Sequence, residues 1–177
     1  RGLSLGTLFY HAYAAGMPRP EVKVGDSDPA KQSTPYQLLS RQELSAMPEL
    51  EWIVPSVLPD GGVAAIYGDP GSGKTFIAID LASRISLGLG PWFNHDVEQR
   101  PVVYVALEGG RGIKKRLDAW DKANGKTSSV QTVLQPFSLL ADCDVEGMHK
   151  SIASHCAKGV VVFIDTLAQA SPGADEN

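Results

Sequence analysis

The chain has 177 residues, 43% hydrophobic and 20% charged, which suffices for one domain with a buried core and a small appendage. This balance excludes a disordered or collagen-like chain, and the longest apolar runs, such as 160–164 (VVVFI), are far too short to cross a bilayer. With 16 basic and 20 acidic residues the net charge is -4, which disfavours coating of duplex DNA by net charge alone while allowing a local basic patch.

The chain starts at Arg1 with no methionine, signal region or cleavage site, and stops at Ala174-Asp175-Glu176-Asn177 in loop-like sequence. It therefore reads as a cytoplasmic piece cut from a longer protein at both ends. Residues 4–15 (SLGTLFYHAYAA) place Leu5, Leu8, Phe9 and Ala12 at helical spacing, with Gly16 as the C-cap. Residues 17–35 are rich in Pro, Ser, Asp and Lys without a period, which is linker composition. A short helix is expected over 37–48, with Ser40 as N-cap and Pro48 as its stop. Two apolar stretches, 52–54 and 57–58, end at the turn Pro59-Asp60-Gly61-Gly62.

A βα rhythm then begins. The run 63–67 (VAAIY) is a short apolar strand of the kind buried on both faces of a parallel sheet. Residues 74–87 form a helix with Ile77, Leu81 and Ile85 on one stripe, and 88–101 form a loop. Residues 102–107 (VVYVAL) are a second buried strand, 113–123 a helix with Leu117 and Trp120 inward, and 130–134 a weaker strand. A helix over 145–157 and a strong strand at 160–164 complete an α/β pattern with a mainly parallel sheet. Cys143 and Cys156 fit reduced cytosolic thiols; with His149 and His155 they lack paired metal-ligand spacing and read as strays on a half-buried helix.

Residues 68–75, Gly68-Asp69-Pro70-Gly71-Ser72-Gly73-Lys74-Thr75, match G-x-x-x-x-G-K-[ST] between an apolar strand and an amphipathic helix. Glycines let the backbone turn so that amides point at phosphate oxygens, and the helix start adds its positive dipole end. Lys74 is expected to reach the β- and γ-phosphates and the Thr75 hydroxyl to ligate Mg²⁺, with the adjoining Phe76 included in the nucleotide-holding set. Asp165, closing VVVFID, sits where a carboxylate serving Mg²⁺ belongs; its alternative role is a helix or turn cap. Glu108, at the end of 102–107, is a candidate general base for the attacking water, or else an exposed acid at a strand–loop junction. The basic run Arg111, Lys114, Lys115 and Arg116 reads as a solvated helix face, with nucleic-acid phosphate or a neighbouring subunit as the functional alternative. Trp92 and Phe93 read as satellite core packing, with contact to a base or a partner as the functional alternative.

On the loop 68–75, Glu108 and Asp165, the chain resembles the RecA-like ATPase superfamily, and within it AAA-family ATPases related to the RepA-type hexameric helicases of plasmids and phages. The similar stretches are VLPDGGVAAIYGDPGSGKTFIAIDLA, VVYVALEGGRGIKKRLDAW and VVFIDTLAQASPGADEN. The resemblance implies a RecA-like P-loop fold, truncated after the Walker B strand, with ATP and Mg²⁺ as cofactors. It also implies Glu108 as the catalytic glutamate, Asp165 with Thr166 as the Walker B site, a hexameric ring of identical subunits, and single-stranded DNA as partner through regions absent here. No membrane role is expected. The alternatives are a RecA-like ATPase acting on protein partners and an assembly module with little turnover. Residues 1–17 resemble the end of a helical primase-C-terminal module, leaving 18–48 as linker and 49–177 as the ATPase portion. In RecA-like topology a strand following Walker B inserts between the phosphate-loop and Walker B strands, so this chain is expected to lack a central strand.

Overall fold

The computed structural model describes residues 8–12, 38–156 and 159–172. The chain divides into two compact units: Arg1–Met17 with Glu51–Asn177, and Pro18–Leu50. In the smaller unit the described residues form one short helix, α1 (Arg41–Ser45). Its start follows from Ser40. The Ser40 hydroxyl accepts the Glu43 amide at 3.2 Å, and the Glu43 carboxylate accepts the Ser40 amide at 2.7 Å. This reciprocal box satisfies two amides that the helix itself leaves without acceptors.

In the larger unit, β2 (Trp52–Val54) and β3 (Leu58–Pro59) pair as a small antiparallel ribbon. The main sheet contains β1 (Leu8–Ala12), β4 (Val63–Ala65), β5 (Val102–Ala106), β6 (Gln131–Val133) and β7 (Val160–Asp165). Among the described residues its order is β4-β1-β7-β5-β6. The pairs β7–β5 and β5–β6 are parallel, while β1 is antiparallel to both of its neighbours. Four strands therefore share one direction, as the α/β pattern requires.

Both β5 and β7 are buried along their whole length, and the period-two alternation of a strand sends their side chains into two cores. On one face Val102, Tyr104, Val161 and Phe163 pack with Leu81 and Ile85 of α2 (Lys74–Leu87) and Trp120 of α3 (Gly110–Asn124). On the other, Val103, Val105, Val162 and Ile164 pack with Ile152 of α4 (Asp142–His155) and Ala170 of α5 (Leu167–Ala170). Helix α2 starts and ends where the sequence reading places it; Gly88, with φ of 64°, supplies the left-handed cap that stops it.

Two expectations are corrected. Of the helix expected over 4–15, the described residues 8–12 form strand β1 instead, and the rest lies outside the described residues. The apolar spacing there fits a helix, but Leu8, Phe9 and Tyr10 are equally strand-forming residue types. The unpaired backbone edges of β4 and β7 decide between the two, since a strand between them satisfies both ladders. The expected central gap is thus filled from the N-terminal side of the chain. Second, β4 is not buried on both faces. It lies at the sheet edge, with Val63 and Ala65 exposed and only Ala64 and Ile66 packed against the core.

Candidate active site

The shared direction of β4, β5 and β7 brings their carboxyl ends to one rim of the sheet, the place where open α/β sheets bind ligands. After β4 the chain turns through residues 68–75 into α2. Gly71 and Gly73 adopt φ of 77° and 89°, a region that a residue with a side chain enters only at a cost. Gly73 is also the N-cap of α2; its carbonyl accepts the Phe76 amide at 3.0 Å, but having no side chain it makes no side-chain capping bond. Ser72 Oγ is buried in this loop without a hydrogen-bond partner. Lys74 folds back over the turn, its Nζ donating to the Gly68 carbonyl at 2.7 Å and the Asp69 carbonyl at 3.0 Å.

Thr75, next along α2, donates its hydroxyl to Asp165 Oδ2 at 2.9 Å, joining residues 90 apart in sequence. Asp165 is 3% exposed. The same oxygen accepts the Tyr104 hydroxyl at 2.8 Å. Tyr104 is fully buried and stacks on Phe163 with ring centroids 5.8 Å apart. Burial, and then the adjacent Asp165 charge, push its phenol far above the ordinary tyrosine range, so it remains a proton donor. The main chain adds a second link: the Leu107 and Glu108 amides both donate to the Asp165 carbonyl, at 2.8 and 3.2 Å. Glu108 therefore leaves β5 directly beside Asp165, with its side chain exposed.

The surrounding groups divide differently from the sequence reading. In the basic run, Arg111, Lys114 and Lys115 are exposed, and Lys114 pairs with Asp118 at 2.6 Å. Arg116 is half-buried and turns toward the loop, its guanidinium carbon 5.8 Å from the centroid of the exposed Phe76 ring. Trp92 joins the core as expected, but Phe93 is 71% exposed and only edges against it, with centroids 4.8 Å apart. An open groove of about 580 Å³ between β6 and α4 lies on the opposite sheet face from Thr75.

The donor set fits a nucleotide-bound cation better than a protein-only metal site. No group of three or more His, Cys, Asp or Glu suited to a metal occurs among the described residues. A divalent ion here would need phosphate oxygens beside the Thr75 hydroxyl and Asp165 carboxylate, which is how Mg²⁺ is commonly held. The uncapped helix start and the orphaned Ser72 hydroxyl supply donors for those phosphates.

A glycine-rich turn from an apolar strand into a helix, with a hydroxyl bonded to a carboxylate at the end of another strand of the sheet, defines the P-loop NTPase class. A family model described as an AAA domain matches residues 29–177, and the chain belongs to that family. Membership implies a nucleotide-binding ATPase, a type that usually works with Mg²⁺. No curated protein and no solved structure matches the chain at a significant level. No helix among the described residues is long and apolar enough to cross a membrane.

Sequence reasoning missed Tyr104, which sits inside VVYVAL and passes for a core residue. The available signal was its hydroxyl: a phenol in an otherwise apolar buried strand has to find a partner.

Proposed function

We propose that this chain binds ATP and hydrolyses it with Mg²⁺, as the motor portion of a DNA helicase or replication protein working as a ring of identical subunits. The observation that carries the hydrolytic reading is the bond from Thr75 to Asp165, which joins the phosphate loop to the strand end beside Glu108. Thr75 and Asp165 would hold Mg²⁺, which would supply neutralisation of the phosphate charge. Lys74 exchanges the carbonyls of Gly68 and Asp69 for phosphate oxygens, and the loop amides from Gly71 to Thr75 cradle the phosphates. Phe76 borders the bound nucleotide beside Arg116. Glu108, exposed at the rim, accepts a proton from the attacking water. The DNA-directed part of the reading is supported by the likeness of three stretches to RepA-type helicases.

Replacing Glu108→Gln keeps the size of the side chain and removes its basicity. ATP binding is expected to persist while turnover falls by about 10²–10⁴-fold, the usual contribution of a general base. Turnover of the unmodified protein is expected to rise with single-stranded DNA. Unchanged hydrolysis in Glu108→Gln would overturn the role of Glu108, and turnover indifferent to DNA would favour an ATPase that acts on protein partners.

A further inference from the structure

We propose that Tyr104 is a positioning residue for the divalent cation, its hydroxyl and that of Thr75 together fixing Asp165 by a shared bond to Oδ2. The inference rests on the Mg²⁺–ATP reading above and extends it to a residue inside the core.

Three observations carry it. An aspartate carboxylate turns about a soft terminal torsion, so its orientation depends on what bonds its oxygens. Here both hydroxyls donate to one oxygen, Oδ2, at 2.8 Å from Tyr104 and 2.9 Å from Thr75. That commitment distinguishes the two oxygens and leaves Oδ1 as the acceptor for a cation or its water. Second, Tyr104 cannot follow a moving carboxylate. Its ring is fully buried and lies within 10° of parallel to Phe163, so the hydroxyl is a fixed point in the core. Third, a hydroxyl has one proton and two lone pairs. With its proton given to Oδ2, Thr75 can offer the cation only lone pairs, which is what a ligand must do. Tyr104 holds the acceptor that keeps Thr75 in that state.

The strand carrying Tyr104 also sets the position of Glu108. β5 reaches Asp165 twice, through the Tyr104 hydroxyl to the carboxylate and through the Leu107 and Glu108 amides to the carbonyl. Cation placement and the position of the proposed base are therefore set from one strand.

The test is Tyr104→Phe in the full chain, which keeps the ring and its stacking and removes a single donor. Mn²⁺ serves as the probe, titrated by electron paramagnetic resonance with ADP present, and ADP binding is measured separately in EDTA. Mn²⁺ retention by the ADP complex is expected to weaken about tenfold, as when other groups that orient a metal's ligands are removed, with metal-free ADP affinity held within about twofold. Unchanged Mn²⁺ retention, with Thr75→Ala weakening it in parallel, would overturn the role of Tyr104 and leave the Mg²⁺–ATP reading standing. Absence of ADP-dependent Mn²⁺ binding in the unmodified chain would overturn both. Should Tyr104→Phe fail to fold, judged by circular dichroism, the hydroxyl would belong to core stability and the positioning role would fall.

Discussion

Asp80, on α2, gathers three side-chain hydrogen bonds on one carboxylate. Its Oδ1 accepts Arg84 Nε at 3.0 Å and the Trp120 indole at 2.7 Å, and its Oδ2 accepts the Trp92 indole at 3.0 Å. One side chain thus ties α2 to α3 and to the loop that follows α2. Replacing Asp80→Ala strands two largely buried indole N–H groups and is expected to cost about 2–4 kcal/mol in denaturant unfolding. Because two of the three tryptophans lose their acceptor, their emission should move together with the unfolding midpoint. Stability within about 0.5 kcal/mol of the unmodified chain would show that the three bonds contribute little. Neither Asp80 nor Tyr104 was legible in the sequence as a hub, for the same reason. Each is a polar group set among apolar neighbours, and periodicity describes the neighbours. By contrast Lys74, Thr75, Asp165 and Glu108 were legible as candidates because each sits at or next to the end of an element, where periodicity does not hide a polar side chain.

At the scale of elements, the phosphate loop is held by backbone conformation more than by packing. A methyl group added at Gly73 would meet no atom within 4 Å, yet the residue's φ is 89°. The expected cost of Gly73→Ala is therefore conformational alone, about 1–2 kcal/mol, appearing as loss of the loop geometry rather than as a clash in the core. Phosphate-dependent nucleotide binding should fall well before the thermal midpoint does. An equal fall in both would mean that the loop and the core unfold as one unit. This local rule is why the loop and the bounds of α2 were readable from residue types; the left-handed Gly88 that ends the helix is a finding of the structure. The exposure of β4 was not readable. Its run of apolar residues signals a buried strand, but burial depends on what covers each face, and Val63 and Ala65 have no such cover among the described residues.

For the molecule as a whole, the decisive strand is β1. Phe9 pairs with Ala64 on one side and Phe163 on the other, and Tyr10 with Val63 and Val162. A proline here removes an amide from the middle of the sheet. Tyr10→Pro is expected to destabilise the chain by about 2–3 kcal/mol, read by thermal unfolding, whereas a helix at 4–15 lying outside the sheet would leave the sheet's stability unchanged. The parallel α/β class was legible because strands and helices alternate along the chain. The identity of the strand between β4 and β7 was not, since pairing across most of the chain leaves no local periodicity to read. That pairing also imposes an order of events. Leu8 is made well before one of its partners, Ile164. β1 must therefore wait, unpaired on that side, until β7 has followed. Closing so long a loop slows folding. The phosphate loop and α2 can take shape earlier, while the Asp165 end of the site has to await β7.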